Sequence, residues 1–160
     1  MQSTRSFTRT DGPPVLMRVD LYSPDQLYGF TEAEGLSVYF HLGSFVAGHW
    51  EGMDIAPPPI LGEEVQVVFD SSTMSNKKAP RASSVTRLAR PIFVQGVVES
   101  FNPGTGWGFA GDSAGQSYYL HRSEVEGGRL PLPGQQVSFF RGFKRGRPRA
   151  CHVKVGSIVG

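Results

Sequence analysis

The chain is predicted to be all-β, with two small five-stranded antiparallel barrels in tandem, and three observations predict it. Glycine (20) and proline (12) together make one residue in five of the 160. Punctuation at that density suits short strands joined by tight turns rather than long helices. Only 39% of residues are apolar, yet there are 11 Phe, 5 Tyr and 2 Trp. That profile fits thin-cored barrels with flat side chains left over for their surfaces. Finally, blocks of sequence recur in the same order roughly seventy residues apart.

The repeat has four blocks. Tyr28-Gly29-Phe30 returns as Trp107-Gly108-Phe109, and Val38-Tyr39-Phe40-His41 as Tyr118-Tyr119-Leu120-His121. Leu61-Gly62-Glu63-Glu64-Val65 parallels Pro133-Gly134-Gln135-Gln136-Val137, and Pro80-Arg81-Ala82 is identical to Pro148-Arg149-Ala150. From Gly to His the spacing is 12 positions in the first copy and 13 in the second. The chain reads as a duplication, with a flexible tail expected over 1–13, a first domain over 14–89 and a second over 90–160.

In the second copy, 92–101 is β-branched and alternating, which predicts a strand, and Asn102-Pro103-Gly104 ends it in a turn. Strands at 106–110 and 116–121 flank the hairpin loop 111–115. Strands at 135–142 and 149–158 complete the set, joined by the basic loop Phe143-Lys144-Arg145-Gly146-Arg147. The first copy repeats this at 15–22, 27–31, 37–41, 63–70 and 82–88. Five strands in so few residues bury a useful core only by closing into a barrel. Val97, Leu120, Val137 and Val153 are the expected core fillers of the second.

Charge is uneven. From 15 to 70 there are nine acids against one base, Arg18; from 71 to 90 there are five bases, among them Lys77, Lys78 and Arg81, and no acid; from 91 onward eight bases face four acids. A polyanion is therefore attracted to the second half and repelled by much of the first. No run approaches the roughly 18 apolar residues of a membrane helix, and the first ten residues lack a hydrophobic signal core, so a cytoplasmic protein is expected. The single cysteine, Cys151, leaves no internal disulfide and no cysteine-based zinc site. His49 and His152 have no partners at ligand spacing, so neither metal nor cofactor is expected. Neither a Gly-x-Ser-x-Gly elbow nor a phosphate-cradling Gly-Lys-Ser/Thr loop occurs, and an enzyme is not expected.

At the repeated blocks the sequence resembles the cold-shock domain family, a five-stranded OB-fold barrel that binds single-stranded RNA and DNA. The family runs Gly-x-Val-Lys-Trp-Phe-Asn, Lys-Gly-Phe-Gly-Phe-Ile, Val-Phe-Val-His and Gly-Pro-x-Ala-x-x-Val. The second copy supplies Gly96-Val97-Val98-Glu99-Ser100-Phe101-Asn102, Thr105-Gly106-Trp107-Gly108-Phe109-Ala110, Tyr118-Tyr119-Leu120-His121 and Pro148-Arg149-Ala150-Cys151-His152-Val153. The first copy, with Asp20-Leu21-Tyr22-Ser23 and Gln26-Leu27-Tyr28-Gly29-Phe30-Thr31, is a more degenerate match.

The resemblance implies a binding face, and strand alternation supplies its physics. Residues i and i+2 project from one side of a strand, so Trp107 with Phe109, and Tyr119 with His121, share a face, and Phe101 is expected beside them. Unstacked bases lie on such rings, while Arg122, Lys144, Arg145, Arg147 and Arg149 meet phosphates. Tyr22, Tyr28, Phe30, Tyr39 and His41 form a weaker equivalent in acidic surroundings. Two departures weaken the match. Where the family has Lys-Trp, the copies have Asp20-Leu21 and Glu99-Ser100, and the Lys opening the next block is Gln26 or Thr105.

The first copy also has 21 positions from His41 to Gly62, against 13 from His121 to Gly134. This longer loop, 42–61, either covers its own barrel or docks a protein through Phe45, Trp50 and Met53. The reading is a monomeric, non-catalytic binder of single-stranded RNA or DNA, acting as an RNA chaperone or a transcription or translation regulator. The alternative is an adaptor whose acidic first barrel engages a protein such as the transcription machinery.

Overall fold

The computed structural model describes residues 12–70 and 78–158. Most of the expected tail, and Lys77 of the basic stretch, lie outside the described residues. The described residues divide into two units: one holds those up to Pro59 with Glu63–Arg90, the other Ile60–Gly62 with those from Pro91 onward.

The first unit is built from β1 (Val15–Ser23), β2 (Tyr28–Ala33), β3 (Leu36–His41), the two-residue β4 (Phe45–Val46), β5 (Glu64–Asp70) and β6 (Arg81–Arg87). The order β3-β2-β1-β5-β6 closes on itself through β3–β6, and β4 adds to the free side of β6. The second unit is a closed barrel of β7 (Phe93–Asn102), β8 (Trp107–Asp112), β9 (Ser117–His121), β10 (Gln135–Lys144) and β11 (Arg147–Ile158). The strand pairings are antiparallel except at closure, where Tyr39 pairs with Arg81 and Tyr119 with Arg149 in parallel, and at β4, which also pairs with β6 in parallel. No helix among the described residues is long and apolar enough to cross a membrane.

Alternation fills each interior. Met17, Val19, Val38, Phe40, Val65, Val67 and Val85 are buried in the first barrel. In the second, Val98, Phe101, Ala110, Tyr118, Leu120, Val137, Phe139 and Val153 form one cluster. Tyr118 is an aromatic core residue that keeps its hydroxyl satisfied by donating to Asp112 Oδ2 at 2.9 Å. That carboxylate also fixes the β8–β9 turn, since its Oδ1 accepts from the Ala114 and Gln116 N–H groups, each at 2.9 Å.

A β-bulge interrupts the first strand of each barrel, between Val19 and Leu21 and between Val98 and Ser100. One extra residue reverses the face of everything on its other side. Two expectations about the second barrel are corrected, the second of them by the bulge. Val97, expected in the core, is 40% exposed, and its neighbour Val98 is buried instead. Phe101, expected on the ring face, points inward and is 9% exposed. The basic loop is likewise tighter than expected: Lys144 pairs with Arg147 across a two-residue turn in which Arg145 and Gly146 have φ of 54° and 77°. Positive φ at both central residues is the hairpin geometry that matches strand twist.

Candidate nucleic-acid interface

On the second barrel, β8 and β9 pair with Trp107 opposite His121 and Phe109 opposite Tyr119. Gly108, between the two β8 rings, lies against the backbone of Ser100 and Phe101, where any Cβ would collide. That glycine lets β7 and β8 close up behind the rings. Ring centroids are 6.1 Å apart for Trp107–Phe109, 5.9 Å for Trp107–Tyr119, 6.1 Å for Phe109–Tyr119 and 6.2 Å for Tyr119–His121. Trp107 is 42% and Phe109 38% exposed, large values for side chains of this size. Tyr119 and His121 are half-buried. The structure thus brings four of the five expected rings to one open face and sends Phe101 to the other side of the sheet.

Ser100 stands directly across from Phe109. The bulge therefore puts Ser100, not Phe101, on the ring-bearing face, and the departure from the cold-shock pattern at this position removes one stacking station.

His121 does two things. Its Nδ1 accepts from the Ser123 N–H at 3.1 Å, capping the 3₁₀ turn Arg122–Glu124, and lies 2.8 Å from Ser123 Oγ. Accepting there puts the ring proton of neutral His121 on Nε2. Burial, then the nearby Arg149 and Arg122 guanidinium groups, hold its pKa below the ordinary 6.5, so the neutral form is favoured.

The expected cations separate by environment. Arg122 is exposed just past His121, and Arg145 and Arg147 are exposed at the hairpin tip; Lys144 is half-buried. Because β11 runs parallel to β9 with Arg149 beside Tyr119, the hairpin lies beyond the opposite end of the ring row from Arg122. Arg149 is largely buried, with its guanidinium 5.1 Å from the Tyr119 ring centre and its Nε 3.8 Å from Glu124 Oε2. Nothing in the local sequence around Glu124 marks it as a partner of Arg149. Its position on the turn capped by His121 places it there.

The first barrel carries a near copy of the ring set. Tyr28–Phe30, Tyr28–Tyr39 and Phe30–Tyr39 centroids are 6.0, 5.7 and 5.7 Å apart, and the exposed His41 accepts through Nδ1 from the Gly43 N–H at 3.0 Å. Arg81 sits 5.6 Å from the Tyr39 ring centre, as Arg149 does at Tyr119. Tyr22 corresponds to Phe101 and leaves the face in the same way. It stacks on the core residue Phe40 at 6.5 Å, and burial pushes its hydroxyl pKa up. The surroundings differ: Leu42 replaces Arg122 in the turn, Leu21 and Leu27 are 41% and 42% exposed beside the rings, and Glu32 continues the ring face of β2.

As far as Pro59 the long loop belongs to its own unit. Arg87, 3% exposed, donates to both carboxylate oxygens of Glu63 at 2.7 and 2.8 Å and to the carbonyls of Pro57 and Pro58 at 3.0 and 2.9 Å. Its guanidinium also lies 4.9 Å from the Phe45 ring centre, and Phe45 stacks on Phe40 at 6.1 Å. Phe45 is therefore packing under a cation rather than an open docking side chain. Trp50 and Met53 are half-buried and bridge each other through their backbones, and Trp50 Nε1 donates to the Ala47 carbonyl at 3.2 Å. The apolar side chains this loop does leave open are Ile55, at 87% exposure, and Val46, at 49%. Arg87 and Glu63 carried no sequence signal for this role, because their partners lie 24 to 30 positions apart in the chain.

The fold and its repeated ring face define a tandem of OB-type barrels. The chain is similar to the cold shock domain-containing protein CG9705 of Drosophila melanogaster, at 29% identity over 113 residues, covering 65% of this chain and 78% of that protein. Among solved structures, drosophila Unr CSD456 matches at 19% identity and a TM-score of 0.38 over 90% of this chain; the chain spans 61% of that structure's length. No protein-family model matches the chain. The chain is thus similar to a cold shock domain-containing protein, and its two closed five-stranded barrels fit a tandem of cold-shock-like OB folds.

Proposed function

We propose that the protein is a non-catalytic binder of single-stranded nucleic acid, held mainly by the second barrel. The observation that carries this reading is the open face of Trp107, Phe109, Tyr119 and His121, with Arg122 past one end of the row and Arg145 and Arg147 past the other. Each ring offers a stacking surface indifferent to base identity, worth about 1–3 kcal/mol per base, and the cations follow the backbone. A duplex hides its base faces, so the preference is for single strands. Holding strands unpaired suits an RNA chaperone or a regulator of transcription or translation.

A second reading applies to the first barrel. Exposed Leu21 and Leu27 beside the rings, with Glu32 on the same face and Leu42 in place of a cation, favour a basic protein segment over a polyanion there.

The test is titration of labelled single- and double-stranded oligonucleotides at several salt concentrations. Single-strand preference is expected, with a log–log salt slope of about −0.7 per phosphate, hence about −2 to −4 for three to five phosphates. Absence of single-strand binding at low salt, with recovery of a stoichiometric protein partner, overturns the first reading in favour of the adaptor.

A further inference from the structure

We infer that Glu124 is a built-in competitor for nucleic-acid phosphate at Arg149, setting how tightly and how salt-sensitively the second barrel binds. The inference rests on the nucleic-acid reading above and concerns the same face.

Arg149 is an unusual cation. Its side chain is 16% exposed, it faces the Tyr119 ring, and among the described residues its buried Nε has no hydrogen-bond acceptor. A buried guanidinium ordinarily has its donors taken up, because leaving them unmade is costly. Here the nearest anion is Glu124, with Oε2 3.8 Å from that Nε. At this distance the carboxylate offsets the charge without engaging the donor. Glu124 is also anchored: its Oε1 accepts from the His152 N–H at 3.3 Å, at a point where β11 takes a left-handed φ of 52°. The carboxylate is thus held near the cation, and it is the 16% of the Arg149 side chain left exposed, not the buried Nε, that can meet a ligand beside the rings.

A phosphate following a base stacked on Tyr119 meets that guanidinium in competition with Glu124. Phosphate provides bidentate acceptors that the displaced geometry of Glu124 does not. The price is repulsion from a carboxylate that cannot withdraw. The first barrel has no carboxylate at the position of Glu124. Its matching 3₁₀ turn, Leu42–Ser44, ends in Ser44, although Arg81 faces Tyr39 as Arg149 faces Tyr119.

The experiment is fluorescence anisotropy of the full chain with a short labelled oligothymidylate across a salt series. Glutamine at 124 keeps an oxygen for the His152 N–H and removes only the charge. Glu124→Gln is expected to bind about three- to tenfold tighter, with a salt slope steeper by about 0.7, as for one more engaged phosphate. The gain disappears when Arg149→Gln is added. Glu124→Ser, which installs the residue the first barrel uses, gives the same gain and covers the case in which Glu124→Gln folds poorly. If wild-type protein binds in a Trp107-dependent way but neither variant binds more tightly, Glu124 merely holds Arg149 in place and the inference is overturned alone. If wild-type protein ignores the oligonucleotide, the parent reading falls first.

Discussion

Tyr28, Phe30 and Tyr39 on one barrel, and Trp107, Phe109 and Tyr119 on the other, keep almost the same triangle, with sides of 5.7 to 6.0 Å and 5.9 to 6.1 Å. The chemistry around the triangles has diverged. One has Leu21, Leu27, Leu42 and Glu32 for neighbours, the other Arg122 and a basic hairpin. Ring geometry is fixed by strand register and by a glycine, Gly29 or Gly108, that packs against the preceding strand. Those features come with the barrel itself. Charge is carried by turn and strand-end residues that change without disturbing the register. A duplicated fold can thus keep its stacking geometry while its electrostatics part company.

The largest effect that sharpens this comparison concerns stability. Arg87→Ala leaves the Glu63 carboxylate and two proline carbonyls without their donor, and a loss of about 3 kcal/mol is expected in denaturant unfolding of the first barrel. The matching residue in the second barrel is Val155, partly buried against the core. Val155→Ala is expected to cost about 1 kcal/mol, and comparable losses at the two sites would break the contrast.

Next comes binding. Trp107→Ala is expected to weaken single-strand affinity by about 1–3 kcal/mol, whereas Tyr28→Ala changes it by less than about 0.5 kcal/mol. Equal losses would mean that ring geometry, not the surrounding charge, decides which barrel binds. A third change goes the other way. Because Ser100 stands across from Phe109, Ser100→Trp adds a stacking station and is expected to tighten binding by about 1 kcal/mol, measured in the same titration.

The smallest effect is with pH. His121 has a lowered pKa in the folded state, so the unfolded chain binds its proton first as pH falls. Its contribution to second-barrel stability is therefore complete above the ordinary 6.5 and lost as pH drops through the lowered value. Thermal unfolding followed from pH 7 to pH 5 should show this decline in the wild type and a flatter profile in His121→Gln. Asp112, also lowered, chiefly by the Gln116 backbone N–H, contributes in the same sense only at much lower pH.

Strand positions were legible in the sequence because alternation and turn residues are local. All ten main strands lie within one or two residues of expectation, and only the two-residue β4 went unnoticed. The ring pairs on β2, β3, β8 and β9 were legible for the same reason. Phe101 and Tyr22 were misassigned because a bulge has no distinct composition, yet it reverses the facing of all that follows; Val97 lies before the bulge and was placed one position out of phase with the buried Val98. Local pattern could not choose between the two readings of the loop that holds Phe45, nor place Glu124, because their surroundings come from Arg87 and Arg149, each distant in sequence and adjacent only once the barrels close.

The Arg87 clamp makes the 42–61 excursion inseparable from the end of β6. The loop's proline carbonyls turn inward toward a guanidinium, so shortening it strands a buried charge, and grafting it onto a barrel with Val155 at that point strands the carbonyls. A chimera that exchanges loops between the two halves must move the loop, Arg87 and Glu63 together or lose the host domain.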